Sequence, residues 1–448
     1  MNIKNTLPKV IGTNSKIRLK NGDKARVVLL NNAATTPPFE STLKTVNKFL
    51  QTYGALHRGA GPHANLTFKK AEESIKIIRE FLGVSDDQAL LFTQNTSAAI
   101  NLFIRLLNLK KEDVIITSII EHTSNNLPWK YNTEATTVYV DAFNDGSLNY
   151  QDLEKKVREN SKNLKLIAIT GASNLTGYIP DIDRISKLAH KHNALLFIDA
   201  AQLAPHRPID MKKQRIDALA FSAHKVYAPF GLGVLALPKN LLDRSPVDPG
   251  GGSIDMISET YVVWASPISR HQTGTWNVTG IIATAASCKT IMDFGWNKIV
   301  EHERELVHYL AKELQSVPDI TLYVPAEKYL LEDRIGTVVF NIKGYHHALI
   351  SAILENEYGI ETRAGTICNH RLVRRWFNVS DKDQKEIEKE ISGGNKLASY
   401  GIVRASLAIH NKKKDIDALV SALKSIVKNK NKLKYKAVPN EEVYVCEK

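Results

Sequence analysis

Short, continuously apolar segments that alternate with helical segments constrain the fold of this chain more than any other feature. A strand with one face in water alternates apolar and polar residues, whereas these segments are apolar throughout, which indicates strands covered on both faces by crossover helices. The pattern predicts an α/β fold with a mostly parallel sheet, in which ligands bind outside the carboxyl ends of the strands. The predicted strands are 90–92, 114–119, 137–140, 166–170, 195–199, 218–222 and 233–237, and the helices among them include 67–82, 97–107 and 182–192.

The pattern changes near residue 300, where a long charged helix precedes shorter strands. We predict a large domain over 29–298 after an N-terminal segment, 1–28, and a smaller α+β domain over 299–430. The tail, 431–448, is polar, and we expect it to be partly disordered. In the smaller domain the predicted elements are a helix at 300–314, strands near 337–342, 359–363 and 402–408, and a helix at 415–427.

Composition restricts the class of protein. The chain is 43% apolar and 24% charged, as is normal for a soluble enzyme. No stretch approaches the ~18 apolar residues of a membrane helix, and the first ten residues lack the apolar core of a secretory signal. Three cysteines (Cys288, Cys368 and Cys446) are too few for a disulfide scaffold and fit a reducing cytoplasm. The net charge of +13 comes from scattered lysines, which favours a solvated surface over a nucleic-acid site. We predict no metal site.

Asp199 and Lys225 follow two neighbouring predicted strands. They are separated by 26 residues, about one crossover, so both side chains can reach one crevice. An enzyme that uses pyridoxal phosphate (PLP) needs such a pair: the lysine holds the aldehyde as a Schiff base, and the carboxylate keeps the pyridine nitrogen protonated. A single lysine is more often a surface residue, but the combination at these strand ends favours the cofactor role.

Three further strand ends carry polar residues. Thr96 and Ser97 follow the first strand, where small hydroxyl groups at a helix N-terminus could bind a phosphate or could simply cap the helix. His122 could stack on a flat ring, although a single histidine is more often structural. Asn174 could donate a hydrogen bond to the cofactor or could only form a turn.

These residues occur within a series of short motifs whose order resembles that of class V aminotransferases, and most of all their cysteine desulfurase and selenocysteine lyase branch. The resemblance extends from about Leu29 to the final helix. It implies the PLP-dependent transferase fold of type I, with a seven-stranded sheet in the large domain. The motifs are His57-Arg58-Gly59, Glu121-His122, Ser173-Asn174-Leu175-Thr176-Gly177, Asp199-Ala200-Ala201-Gln202, Ser222-Ala223-His224-Lys225, Pro249-Gly250-Gly251-Gly252-Ser253-Ile254, Gln272-Thr273-Gly274-Thr275 and Arg404-Ala405-Ser406-Leu407-Ala408.

The resemblance also implies roles for individual residues. Arg404 would bind the substrate carboxylate, with Asn174 and His57 near the substrate. Thr275 would reach the phosphate of a neighbouring subunit, which implies a homodimer with shared active sites. The other implied contacts are with the cofactor: Lys225 as the covalent anchor, Asp199 at the pyridine nitrogen, His122 stacked on the ring, Asn174 and Gln202 at the phenolic oxygen, and Thr96, Ser97, Ser222 and His224 at the phosphate.

Cys368 lies where desulfurases of this branch carry their reactive cysteine, in the run Arg363-Ala364-Gly365-Thr366-Ile367-Cys368. The resemblance implies that L-cysteine is converted to alanine while its sulfur is left as a persulfide on Cys368, for transfer to an acceptor that could be a protein. The alternative interpretation is a small buried side chain without a chemical role. Three features depart from the family: Asn369-His370-Arg371 replaces alanine–x–proline, Arg404 follows only after 36 residues, and Trp276 replaces a proline. The longer stretch contains the charged segment 381–390 and predicts a surface helix.

Other functions remain open at this stage. The same lysine and arginine would serve an aminotransferase, a carbon–sulfur lyase or an epimerase, because the cofactor does not determine which bond breaks. A dinucleotide-binding oxidoreductase is disfavoured because no G-x-G-x-x-G motif follows the first strand. A nucleic-acid-binding or scaffold protein would rest on the positive charge alone.

Overall fold

The computed structural model describes residues 7–56 and 59–447. The chain begins with three short strands: β1 (Lys16–Arg18) pairs with β2 (Lys24–Arg26), and β3 (Val28–Leu29) follows. His57, one of the predicted substrate-binding residues, lies outside the described residues. Within those residues, no helix has the combination of length and apolar character that crossing a membrane requires.

Seven strands form the central sheet of the large domain, in the order β4-β10-β9-β8-β7-β5-β6. Only β10 runs against its neighbours, so the prediction of a mostly parallel seven-stranded sheet is confirmed. The strands are β4 (Gln88–Thr93), β5 (Val114–Ser118), β6 (Thr136–Val140), β7 (Leu164–Thr170), β8 (Leu195–Asp199), β9 (Ala218–Ser222) and β10 (Gly233–Pro238).

Helices cover both faces of this sheet. They are α1 (Glu40–Leu50), α2 (Pro62–Leu82), α3 (Thr96–Leu107), α4 (Leu127–Tyr131), α5 (Tyr150–Asn160), α6 (Ile182–Lys191), α7 (Met211–Gln214), α8 (Pro267–Arg270) and α9 (Val278–Phe294). The second of these begins five residues before its predicted start, since Pro62 is well suited to the first helical position. It ends as expected at Gly83, which has a left-handed backbone conformation. Two further strands, β11 (Ile254–Ile257) and β12 (Val262–Trp264), form a hairpin.

The smaller domain contains a four-stranded antiparallel sheet. Its helices are α10 (Trp296–Leu314), α11 (Ala326–Leu331), α12 (His347–Tyr358), α13 (His370–Trp376), α14 (Asp381–Ser392) and α15 (Lys413–Val427). Its strands are β13 (Ile320–Leu322), β14 (Thr337–Ile342), β15 (Ile360–Glu361), β16 (Arg363–Gly365) and β17 (Ile402–Ser406). The sheet order is β13-β14-β17-β16, and β15 pairs separately with β3. The single strand predicted at 359–363 is therefore two strands with different partners.

The buried apolar residues that the structure describes form four clusters, of which one contains most of the core of the smaller domain. Val28 and Leu30 pack in the core of the smaller domain, together with β14, β17, α12 and α15. The chain therefore packs against the smaller domain around residue 29, where the N-terminal segment was predicted to end and the large domain to begin.

The charged segment 381–390 and the C-terminal tail were predicted as a surface helix and as a partly disordered stretch, respectively. The charged segment forms α14, which buries no residue, as predicted. The tail differs from its prediction, because β18 (Tyr435–Val438) and β19 (Val443–Cys446) pair as an antiparallel hairpin. Alternating valine and tyrosine in this stretch favour a strand, although its overall composition is polar.

Candidate active site

A cavity of about 430 Å³ lies at the carboxyl ends of the parallel strands, where the two domains meet. The structure brings eleven predicted residues together on its wall: Thr96, Ser97, His122, Asn174, Asp199, Gln202, Ser222, His224, Lys225, Cys368 and Arg404. Thr275 does not line the cavity and is exposed on the surface.

Lys225 and Asp199 lie at the ends of adjacent parallel strands. Asp199 is the last residue of β8 and is buried, and its carboxylate accepts a hydrogen bond from the Ala201 N–H (3.0 Å). Burial raises the pKa of Asp199, although Ala201 and Lys225 oppose that shift. Lys225 lies in a helical turn after β9, and burial lowers its pKa to about 8 against the opposing effect of Asp199. The cavity therefore holds an amine that loses its proton far more readily than a surface lysine does.

The first helix after β4 presents hydroxyl groups to one end of the cavity. Asn95 caps α3 by accepting a hydrogen bond from the Ala98 N–H, so the capping role considered for Thr96 or Ser97 belongs to the residue before them. The Thr96 N–H donates to Ser222 Oγ (2.7 Å), and the two hydroxyl oxygens are 2.6 Å apart. Ser97 Oγ contacts Ser124 Oγ at 2.6 Å. A helix N-terminus with several hydroxyl groups has the chemistry of a phosphate site.

His122 is a neutral imidazole in this cavity. Burial lowers its pKa to about 3, and the positive charges of Lys225 and Arg404 lower it further. Its Nδ1 accepts a hydrogen bond from the Ser124 N–H (3.1 Å), so the ring hydrogen is carried by Nε2. The side chain can therefore stack on a ring or donate a hydrogen bond without adding positive charge.

Arg404 crosses from the smaller domain into the cavity. Its guanidinium donates to the Asn174 carbonyl (3.0 Å) and to Asn31 Oδ1 (3.2 Å), and Nε has no partner among the described residues. Burial, with the neighbouring charge of Arg363, lowers the pKa of Arg404. A buried guanidinium without an acidic partner favours binding of an anion.

Cys368 is exposed to the cavity on a backbone that is strained. Both Ile367 and Cys368 have positive φ angles, 50° and 58°, in the left-handed region that non-glycine residues rarely occupy. Such a conformation costs on the order of 1–3 kcal/mol per residue and persists only where surrounding contacts enforce it. The segment that follows Cys368 is largely helical, with α13 starting at His370 and α14 at Asp381.

Several residues of the site were not predicted from the sequence. No role was predicted for Asn31, Ser124 or Arg363, although Asn31 follows the apolar run 27–30 and Arg363 ends the predicted strand 359–363. Their contacts with the other site residues depend on packing between segments that are far apart in the sequence. Glu121 was quoted only as part of a motif. Its carboxyl group is buried, receives hydrogen bonds from Ser118 and Asn125, and has a pKa raised to about 8 by burial. Within the described residues no cluster of three or more potential metal ligands occurs.

The chain belongs to the aminotransferase class-V family, whose sequence profile matches residues 28–419. The family assignment made from the motifs is therefore confirmed.

Several relatives of the chain are named as cysteine desulfurases. A probable cysteine desulfurase of Halalkalibacterium halodurans is 31% identical over 89% of this chain and 92% of its own length. A cysteine desulfurase of Shigella sonnei is 32% identical over 84% and 86% of the two chains. Among solved structures, the cysteine desulfurase CsdA of Escherichia coli has a TM-score of 0.76 at 27% identity, over 90% of this chain and 95% of that one. The cysteine desulfurase of Thermococcus onnurineus has a TM-score of 0.78 at 28% identity, with the same coverage. The predicted fold is thus confirmed by these neighbours.

The family is PLP-dependent, and the cavity fits this cofactor. Gln202 donates through Nε2 to the Ala33 carbonyl (2.6 Å), while its buried Oε1 has no partner among the described residues. Asp199 supplies a buried carboxylate, Lys225 an amine of lowered pKa, and α3 a hydroxyl-rich N-terminus. This combination matches the functional groups of PLP: an aldehyde, a basic pyridine nitrogen and a phosphate.

Proposed function

We propose that the chain is a PLP-dependent cysteine desulfurase that converts L-cysteine to alanine and leaves the sulfur as a persulfide on Cys368. The observation that carries the proposal is that the exposed Cys368 lines the same cavity as Lys225, Asp199 and Arg404. The names of the relatives, at about 30% identity over most of the chain, support the same substrate.

The cofactor would be held by the residues that already converge on the cavity. Lys225 would bind it covalently, Asp199 would contact its pyridine nitrogen, and His122 would stack on its ring. Its phosphate would lie at the N-terminus of α3, against Thr96, Ser97, Ser222 and His224. Asn174 and Gln202 lie on the wall where its phenolic oxygen would need polar contacts. When bound, PLP supplies an electron sink that weakens the bonds at the α-carbon of an amino acid.

Arg404 would orient the substrate. A guanidinium can bind a carboxylate through two parallel hydrogen bonds, which fixes the rotation of the substrate as well as its position. With the carboxylate fixed there, the side chain of the substrate would extend toward Cys368, which lines the same cavity.

Lys225 would serve as the base that removes a proton from the substrate. Because its pKa is lowered to about 8, Nζ is unprotonated in roughly a tenth of the molecules at pH 7, and that form can take a proton from the α-carbon. His122 stays neutral throughout this range and can hold its hydrogen on Nε2 as a donor.

Cys368 would accept the sulfur. The thiolate is the nucleophilic form of cysteine, and Cys368 lines the cavity together with Arg363 and Arg404. The new bond joins Cys368 Sγ to the substrate sulfur, the carbon–sulfur bond breaks, and the carbon takes up a proton to give alanine. Enzyme thiol and cysteine are thereby converted to enzyme persulfide and alanine, with no external oxidant.

The proposal extends to the assembly and its partners. We propose a homodimer in which the exposed Thr275 reaches the phosphate of the neighbouring active site, and a protein as sulfur acceptor. We further propose that the enzyme works in the cytoplasm, since a reducing compartment keeps Cys368 as a thiol.

The test is to incubate protein purified with PLP with L-cysteine and dithiothreitol and to measure alanine and sulfide. Wild-type protein should release both in equal amounts, Lys225→Ala should release neither, and Cys368→Ser should retain the cofactor absorbance but release no sulfide. Cys446→Ser, in the C-terminal hairpin, is the matched control and should behave as wild type. Pyruvate and ammonia in place of alanine would identify a carbon–sulfur lyase and refute the proposal.

A further inference from the structure

The strained backbone around Cys368 needs contacts that hold it. Ile367 is β-branched, and its left-handed conformation brings the side chain against its own backbone. A segment with two such residues in succession relaxes to an ordinary conformation when its contacts are removed. The identity of those contacts therefore decides where the thiol lies.

Three hydrogen bonds hold this segment against the large domain. The Thr123 N–H donates to the Cys368 carbonyl (2.9 Å), and Asn174 Nδ2 donates to the Ile367 carbonyl (2.9 Å). The third contact comes from the residue that follows the cysteine: Asn369 Nδ2 donates to the Ile120 carbonyl (2.7 Å).

The side-chain amide of Asn369 forms hydrogen bonds through both its oxygen and its nitrogen. Its side chain is 1% exposed, and Oδ1 accepts a hydrogen bond from the Leu372 N–H (3.3 Å), which caps α13. Through Nδ2 it binds the strand end that also carries His122. One buried side chain thus connects the helix after the cysteine to the segment that carries His122.

We infer that Asn369 is a positioning residue that fixes Cys368 over the substrate, an inference that rests on the proposed function. Its role is to keep the thiol at one place relative to Lys225 and Arg404, so it affects the sulfur transfer and not the binding of substrate.

Asn369→Asp tests the inference while preserving the fold. An aspartate oxygen can still accept from Leu372 and cap α13, but an ionised carboxylate cannot donate to the Ile120 carbonyl. We expect the kcat for alanine release to fall about tenfold or more, because misplacement of a reacting group by about 1 Å has effects of this size. The KM for L-cysteine should change less than about twofold, since Arg404 is untouched. The cofactor absorbance should stay as in wild type. Asn378→Asp, an exposed position just after α13, is the matched control and should leave all three unchanged.

Two further readouts separate positioning from a general structural role. Lowering the pH should raise the activity of Asn369→Asp relative to wild type, because a protonated carboxyl group can donate to Ile120 again. The rate at which iodoacetamide alkylates Cys368, followed on its peptide, should differ from wild type by several-fold, since a released loop changes access to the thiol. Wild-type kcat in the variant, or an unchanged alkylation rate, would overturn the inference. If wild-type protein released no alanine, the proposed function would fail, yet the alkylation rates would still decide the role of Asn369.

Discussion

Arg404 shows at the scale of a single residue how the fold prepares a binding group. Its side chain is 2% exposed and forms no ion pair within the described part of the chain. Its two hydrogen bonds go to neutral oxygens, on Asn174 and Asn31. Since a buried charge is costly without a counter-charge, an anionic substrate gains binding energy by supplying one.

Replacement of this arginine by lysine should weaken substrate binding specifically. An ammonium group keeps the charge but cannot form two parallel hydrogen bonds to a carboxylate. We expect Arg404→Lys to raise the KM for L-cysteine about tenfold to a hundredfold, which corresponds to losing a charged hydrogen bond. The measurement is steady-state alanine release, with the cofactor spectrum as a check that the site is intact. Arg371→Lys, on the exposed face of α13, serves as the control, and an unchanged KM in Arg404→Lys would exclude the carboxylate-binding role.

At the scale of elements, the C-terminal hairpin of β18 and β19 completes a buried polar site on the smaller domain. Glu357, on α12, is buried, and its carboxylate accepts from the Lys432 N–H (2.7 Å), the Leu433 N–H (3.4 Å) and the Tyr435 hydroxyl (3.1 Å). The hairpin and the residues before it therefore provide the hydrogen bonds that this carboxylate needs.

Truncation after Lys430 should destabilise the protein for this reason. The variant leaves Glu357 with none of these three donors, and we expect the free energy of unfolding to fall by roughly 2–4 kcal/mol. Urea denaturation followed by circular dichroism measures the change. Adding Glu357→Gln to the truncated chain should recover part of the loss. If the free energy of unfolding fell equally in the truncated chain with and without Glu357→Gln, Glu357 would not be the cause of the destabilisation.

The elements also show what the sequence predicts and what it does not. The strands of the central sheet were recognisable because both of their faces are buried, so the apolar signal is continuous. The site residues that end those strands, such as Asp199 and Lys225, were found for the same reason. The residues 359–365 lack this signal, because β15 and β16 are short and pair with different sheets. Arg363 lines the cavity from the short strand β16, and Asn31, just after β3, accepts a hydrogen bond from Arg404. Their placement depends on packing between distant segments, which no local pattern encodes.

At the scale of the whole molecule, a buried ionic cluster joins the two domains whose meeting forms the active site. Glu303 on α10 contacts His206 and Arg207 of the large domain, each at 2.5 Å, and accepts from the Gly336 N–H (3.0 Å). Arg207 also pairs with Asp333 (2.7 Å). Burial alone would raise the pKa of Glu303. The interactions with His206 and Arg207 have the larger effect and lower this pKa to about 2.

This cluster predicts a pH dependence of stability. Because the folded state lowers the pKa of Glu303 from its ordinary value of 4.5, its contribution is fully present above pH 4.5 and is lost as the pH falls toward 2. Glu303→Gln should lower the free energy of unfolding at pH 7 by about 3–5 kcal/mol, since it leaves Arg207 with a buried, partly unpaired charge. The difference between variant and wild type should shrink below pH 4.5. Glu301→Gln, exposed on the same helix, should unfold as wild type does, and a pH-independent difference for Glu303→Gln would argue against the ionic explanation.

The central claim, that Cys368 receives sulfur from L-cysteine, is tested most directly by mass spectrometry of the protein itself. Enzyme purified with PLP is treated with a small excess of L-cysteine without added thiol, digested, and its three cysteine peptides are analysed. We expect the Cys368 peptide to gain the mass of one sulfur atom, an equal amount of alanine to form, and the Cys288 and Cys446 peptides to stay unchanged. Formation of alanine with no added sulfur on the Cys368 peptide, or no alanine at all, would contradict it.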